Sequence, residues 1–221
     1  MKLFQYTYYF FRSVFYRGFV NTIKLLTYEK KYEKLLKINT LTIENLEHLT
    51  LASDNSKENH HYQGASYFIL FKIFRSLPSD FKNTTFIDYG CGKGRALFVA
   101  EQCGFKRLIG VDIAKELILD AEKNLINYQK QNATSEIKFV FEDATKYNIP
   151  KDACVFYFFN PFGPKILKSV LSNIKKSVDQ SPRKILCIYL NPLYKEEFEK
   201  LGFQLVEEVK TGRYLEAVIY E

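Results

Sequence analysis

The first 28 residues contain no acid at all, although Lys2, Arg12, Arg17 and Lys24 lie among them. These four cations are set against a net charge of +7 for the whole chain, so the surplus is concentrated at one end. Long apolar runs are also missing there. The longest uncharged run of this segment, Leu3–Phe11, is far too short to span a bilayer. Polar Gln5 and several tyrosines interrupt it and no small-residue cleavage site follows, which argues against a secretory signal. Cysteine is sparse: Cys91, Cys103, Cys154 and Cys187 form no C-x-x-C pair. The expectation is reduced thiols in a reducing compartment, hence a cytoplasmic protein with, at most, peripheral contact to a membrane. His48, His60 and His61 lack metal-ligand spacing with any cysteine, so no metal site is expected. There is no internal repeat and no low-complexity tract.

What is present is ordinary for a globular chain. The 221 residues are 47% hydrophobic and 26% charged, enough for one sizeable α/β domain with an extension. Three regions are expected. Residues 1–30 are a basic, aromatic amphipathic helix, residues 31–80 a mostly helical extension, and residues 81–221 alternate strand and helix patterns. In the first region Phe4, Tyr8, Phe11, Phe15 and Phe19 recur every three or four residues and share one helical face. Such a face packs on its own domain or a second copy, or lies in the plane of an anionic membrane surface.

The third region predicts strands at 84–89, 107–113, 137–142, 153–159, 184–190, 203–210 and 214–220. Helices are expected at 95–102, 115–128, 164–178 and 193–201, with Pro164 opening the third of them. Alternation of this kind implies an α/β fold: a mostly parallel seven-stranded sheet with helices on both faces. The last pair is split only by Thr211-Gly212-Arg213, a turn too short for a crossover, and must be antiparallel.

The chemistry-bearing segment is Asp88-Tyr89-Gly90-Cys91-Gly92-Lys93-Gly94-Arg95, which follows an apolar strand and opens a helix. Gly90, Gly92 and Gly94 let the backbone adopt positive φ and approach a ligand. The sixth position from Gly90 is Arg95, so the dinucleotide fingerprint fails, and no G-K-[ST] makes a Walker A loop. A carboxylate at Asp88 repels phosphate and suits an ammonium or hydroxyls. Asp112, before Ile113, ends the second strand, where a carboxylate accepts from both ribose hydroxyls. Asp143, before Ala144, ends the third, where it can accept from an exocyclic amine.

With these residues, positions 84–221 resemble the class I S-adenosylmethionine-dependent methyltransferases, and more narrowly a bacterial subgroup similar to protein-lysine methyltransferases. The resemblance implies S-adenosylmethionine as cofactor. It implies contacts from Asp88, Gly90, Cys91, Gly92 and Gly94 to the methionine part, Asp112 and Ile113 to the ribose, and Asp143 and Ala144 to the adenine. Tyr62, or Tyr67 beside it, falls where the family carries a cofactor lid. Asn160-Pro161-Phe162-Gly163 resembles the D/N-P-P-Y/F turn of amino-group methyltransferases, with one proline fewer. Asn160, Pro161 and Phe162 are therefore the candidate catalytic residues, Asn160 also touching the cofactor. A neutral turn reading, with Pro161 only redirecting the chain, stands beside this one. Aromatic residues Tyr157, Phe159 and Phe162 would favour a cationic amine. The expected acceptor is an amine such as a protein lysine; a nucleic acid, a small molecule or lipid, and a non-catalytic binding module are the alternatives.

Overall fold

The computed structural model describes residues 2–41, 49–53, 63–132 and 135–221. Helices α1 (Lys2–Arg17), α2 (Phe19–Leu36) and α3 (Tyr67–Ser76) precede the sheet. Then come β1 (Thr85–Tyr89), α4 (Arg95–Gln102), β2 (Arg107–Asp112), α5 (Lys115–Asn132) and β3 (Glu136–Phe141). They are followed by β4 (Ala153–Phe159), α6 (Pro164–Gln180), β5 (Leu186–Leu190), α7 (Glu196–Lys200), β6 (Leu205–Thr211) and β7 (Tyr214–Tyr220). The sheet order is β3-β2-β1-β4-β5-β7-β6. The first five strands pair in parallel; β7 is antiparallel to both β5 and β6. The predicted fold class therefore stands, and strand boundaries differ by only one or two residues.

The order reverses between β1 and β4, because β2 and β3 extend one way and β5 onward the other. That reversal opens a crevice above the carboxyl ends of β1 and β4. Period-two alternation sorts the side chains of these strands. Phe86, Val155 and Tyr157 pack under α3 and α4, while Ile87, Tyr89, Phe156 and Phe158 pack under α6 and α7. Asp88 and Tyr157 are register partners, on the same face as Phe86.

The N-terminal extension departs from expectation in three ways. Gly18, at φ 86°, breaks the predicted single helix into α1 and α2. Of residues 31–80, the described part is helical only at the end of α2, in α3 and in a short 3₁₀ turn at Ser79–Asn83. And the aromatic stripe does not pack on its own domain. Among the described side chains of α1, Phe10, Ser13, Val14 and Arg17 are half-buried, whereas Phe11 and Phe15 are 68% and 67% exposed.

A buried cation ties this extension to the start of α4. Arg95, the first residue of α4, is buried, with 5% of its side chain exposed. Its Nη1 donates to Glu29 Oε2 on α2 at 2.7 Å and to the Ala65 carbonyl at 2.7 Å. Its Nε donates to Thr40 Oγ1 at 2.7 Å, and its Nη2 to the Thr40 carbonyl at 3.1 Å. Glu33 lies 3.4 Å from Nη2 and also accepts from the Tyr67 hydroxyl and from Thr40. The guanidinium stacks 4.5 Å over the Tyr67 ring. Removing one partner of a buried ion pair leaves the other charge desolvated and unpaired, at a cost of about 3–5 kcal/mol. Arg95→Ala should therefore lose about that much stability in urea titration. A midpoint near that of the parent chain would remove Arg95 from this role.

Candidate functional site

The turn after β1 has the conformation its glycines predict. Gly90, Gly92 and Gly94 have φ of 76°, 53° and 85°. At Gly90 a Cβ would stand 2.4 Å from the Pro161 Cβ, and at Gly94 it would stand 2.6 Å from the Phe139 ring. Glycine is needed there for space as well as for φ. The turn is pinned from β2: Gly90 N and Cys91 N both donate to the Val111 carbonyl, at 2.8 and 3.2 Å.

Asp112 completes that attachment. Its Oδ2 accepts from Gly92 N at 2.8 Å and its Oδ1 from Ala114 N at 2.9 Å. Burial raises its pKa, and these backbone donors pull the other way. Each oxygen keeps a lone pair for a further donor. Asp143 is also buried: Oδ1 accepts from Thr145 N and its hydroxyl, at 2.9 and 2.8 Å, and Oδ2 from Ser53 Oγ at 2.7 Å. Ser53 belongs to a strap that the sequence did not announce. Leu51 bridges Ala114, Ala52 N donates to the Ile113 carbonyl at 2.9 Å, and Thr50 bonds Glu116 on α5. Leu49 and Leu51 pack on Ala114 and Leu117. The strap thus lies along the ends of β2 and β3, beside Ile113 and the buried Ala144.

Asp88 and Tyr157 line a small cavity with Gly64, Gly90, Cys91, Arg95 and Phe159. Among the described residues nothing donates to Asp88. Its burial and the nearby Asp112 carboxylate push its pKa well above the ordinary range. The Tyr157 hydroxyl is buried and unpartnered. Burial, and next the Asp112 and Asp88 charges, keep the Cys91 thiol protonated. A donor-free buried acid beside an orphan hydroxyl fits a ligand that brings an ammonium. Asp88, the open glycine backbone and Asp112 thus stand together at the carboxyl end of β1 and β2.

A larger cavity, about 510 Å³, adjoins the small one through Gln63, Gly64, Arg95 and Phe159. Leu25, Leu26, Leu41, Ile69 and Leu190 give it apolar walls. Glu29, Ser66, Asn191, and the Arg17–Glu216 pair give it polar ones. The Ser66 hydroxyl is buried without a partner. Asn191 was missed in the sequence, yet its Asn-Pro-Leu repeats the Asn-Pro of the preceding strand end. Both asparagines are left-handed, at φ 43° for Asn160 and 51° for Asn191.

The Asn160-Pro161-Phe162 turn is only partly brought to these cavities. Pro161 lies against Gly90. Asn160 is buried and its Oδ1 accepts from the Tyr189 hydroxyl at 2.8 Å. Phe162 does not form an open wall; it is buried in the core with Ile166 and Leu167, because Gly163 and Pro164 start α6 at once and turn the ring inward. Tyr67 is packed rather than a lid, its hydroxyl donating to Glu33 at 2.7 Å. Tyr62 lies outside the described residues, as do His48, His60 and His61.

The strand order and its crevice define a Rossmann-like α/β fold. Residues 80–181 match the family described as a methyltransferase domain. A magnesium protoporphyrin IX methyltransferase from Synechocystis PCC 6803, solved with bound SAM, is similar at 15% identity. The match covers 70% of this chain and 77% of that one, at TM-score 0.51. A ribosomal protein methylase from Lactobacillus delbrueckii subsp. bulgaricus matches at 16% identity, 69% and 75% coverage and TM-score 0.50. A didemethyltoxoflavin methyltransferase from Burkholderia thailandensis, with bound S-adenosylhomocysteine, matches at 11% identity, 70% and 76% coverage and TM-score 0.50. These likenesses carry the fold. No curated protein matches the chain. Over residues 80–181 the chain is thus similar to a methyltransferase domain, and its fold is the one those methyltransferase structures share.

Two outcomes test the cofactor side. Asp112→Ala should weaken S-adenosylmethionine binding by about 1.5–3 kcal/mol, the scale of hydrogen bonds to a charged group. Unchanged affinity in calorimetry would remove Asp112 from the ribose position. Asp88 has a raised folded pKa, so its contribution to stability is full below the unfolded value of about 3.9 and is lost as pH rises through the folded one. Asp88→Asn should therefore flatten the stability profile above that pH and make the chain more stable at neutral pH, while weakening cofactor binding. A neutral-pH urea midpoint below that of the parent would contradict this.

Proposed function

We propose that the chain methylates an amine carried on an apolar stem, a protein lysine being the leading case. The observation that carries this reading is the 510 Å³ cavity, which adjoins the glycine turn and has apolar walls with carboxylates among them. Its size is that of a small-molecule or side-chain site. Leu25, Leu41, Ile69 and Leu190 suit a stem of methylenes. Phe159, on the cavity wall, offers a ring to a cation, at about 0.5–2 kcal/mol per contact.

Methyl transfer asks little acid–base chemistry of the protein. The cofactor supplies an electrophilic methyl carbon, and the protein holds an amine lone pair in line with it. An ammonium must first lose a proton. Glu29 faces the cavity, and burial raises its pKa even though Arg95 and the Tyr67 N–H oppose the shift. A carboxylate with heightened proton affinity is suited to accept that proton. Asn160 orients the turn through its bond to Tyr189 and sets Pro161 against Gly90. Asn191, on the cavity wall, can accept from the amine.

The deciding experiment is transfer of tritiated methyl from S-adenosylmethionine into a cell lysate, followed by sorting. Label in protein that hydrolyses to methyl-lysine supports the proposal; label confined to nucleic acid, lipid or metabolites sinks it. With the labelled acceptor in hand, Asn160→Ala and Asn191→Ala should each lower turnover by roughly tenfold or more, about 1.4 kcal/mol of transition-state stabilisation, at unchanged cofactor affinity. Full activity in both would leave them as turn residues only.

A further inference from the structure

The N-terminal helices carry a face that the domain does not use. α1 packs inward through Phe10, Ser13, Val14 and Arg17, and its C-terminal end is anchored to the β6–β7 hairpin. The Arg17 guanidinium grips Glu216 through Nε at 2.6 Å and Nη2 at 3.1 Å, and lies 3.6 Å over the Tyr214 ring. Arg213 N donates to the Tyr16 carbonyl at 2.7 Å. These contacts fix which side of the helix looks outward. That side bears Tyr8, Phe11 and Phe15, and the first turns of α2 expose Phe19, Ile23 and Leu26 as well. Phe19 is 60% exposed and Leu26 58%. Several large apolar side chains left exposed on neighbouring helices mark a place of contact.

The charges around it choose the partner. Arg12, Lys24 and Arg213 are exposed; Arg213 stands 6.0 Å from the Phe15 centroid and Lys24 5.5 Å from that of Phe68 on α3. No acid occurs in residues 1–28 or at the Thr211–Tyr214 hairpin tip. A two-fold contact with a second copy would set these cations against their own kind with no carboxylate between them. An anionic lipid surface offers the complementary sign, and aromatic rings settle at the boundary between headgroups and acyl chains. Among the described residues no helix is long and apolar enough to cross a membrane, so the arrangement is one of lying on the surface.

The position of the cavity agrees. Leu26 belongs both to the exposed face and to the wall of the 510 Å³ cavity, and Tyr214 and Arg17 line that cavity too. The outward face and the cavity wall therefore share Leu26.

We propose that the face built by α1 and the first turns of α2 docks in the plane of an anionic bilayer, with the cavity's mouth at the lipid boundary. The docking does not depend on which acceptor is methylated. Co-sedimentation of the full chain with vesicles tests it. The chain should pellet with phosphatidylglycerol–phosphatidylcholine vesicles, release as salt is raised, and stay in solution with pure phosphatidylcholine. Phe11→Ser with Phe15→Ser should weaken binding by roughly tenfold or more, and so should Arg12→Glu with Lys24→Glu. These positions are exposed, so calorimetric affinity for S-adenosylmethionine should be unchanged in both variants, which separates lost docking from lost folding. Three results would overturn the proposal: no pelleting of the parent chain with anionic vesicles, pelleting equal on neutral and anionic vesicles, or a dimer in light scattering that Phe11→Ser with Phe15→Ser dissociates.

Discussion

The Arg95 guanidinium joins two parts of the molecule that the chain itself keeps apart. It stands at the first residue of α4, directly after the glycine turn. It is satisfied by Glu29 and Thr40 and by the Ala65 carbonyl, all from the N-terminal extension. The carboxylates it neutralises, Glu29 and Glu33, would otherwise be costly to bury. Because one side chain meets both, the turn and the extension cannot move independently. The cavity between them, with Gly64, Ser66 and Glu29 on one side and Phe159 and Asn191 on the other, exists as a defined space for that reason.

The sheet provides the other constraint. Strand order reverses between β1 and β4, so the turn after β1 and the Asn-Pro turn after β4 meet over one crevice. Gly90 has no Cβ to keep Pro161 away. Asp112 reaches across from β2 to hold the turn by Gly92 N. Asp88 accepts no such donor and is kept buried at an energetic cost. Functional sites commonly hold groups in this way, at the expense of stability.

Much of this was legible in the residues themselves. The glycine turn, the acids at the ends of β2 and β3, and the antiparallel last pair each follow from local rules of spacing, conformation and turn length. Less was legible where a residue's partner lies far along the chain. Arg95 looked like the residue that spoils a dinucleotide fingerprint, and nothing near it names Glu29, 66 positions earlier, as its partner. Phe162 looked like an acceptor wall because the turn resembles one that displays its ring. The start of α6 right after it directs the ring into the core instead. The strap carrying Ser53 has no periodic pattern, so its antiparallel bridge to Ala114 could not be anticipated.

The amino-acid order alone determined the fold class, the turn chemistry and the helical stripe of Tyr8, Phe11 and Phe15. Each depends on neighbours within a few positions, and backbone sterics and side-chain periodicity act at that range. Only the tertiary structure decided which face of α1 is spent on packing, where the acceptor-sized cavity lies, and that Asn191 rather than Phe162 borders it. Those outcomes come from which elements compete for the same buried surface, and that competition is settled by the assembled sheet and helices together.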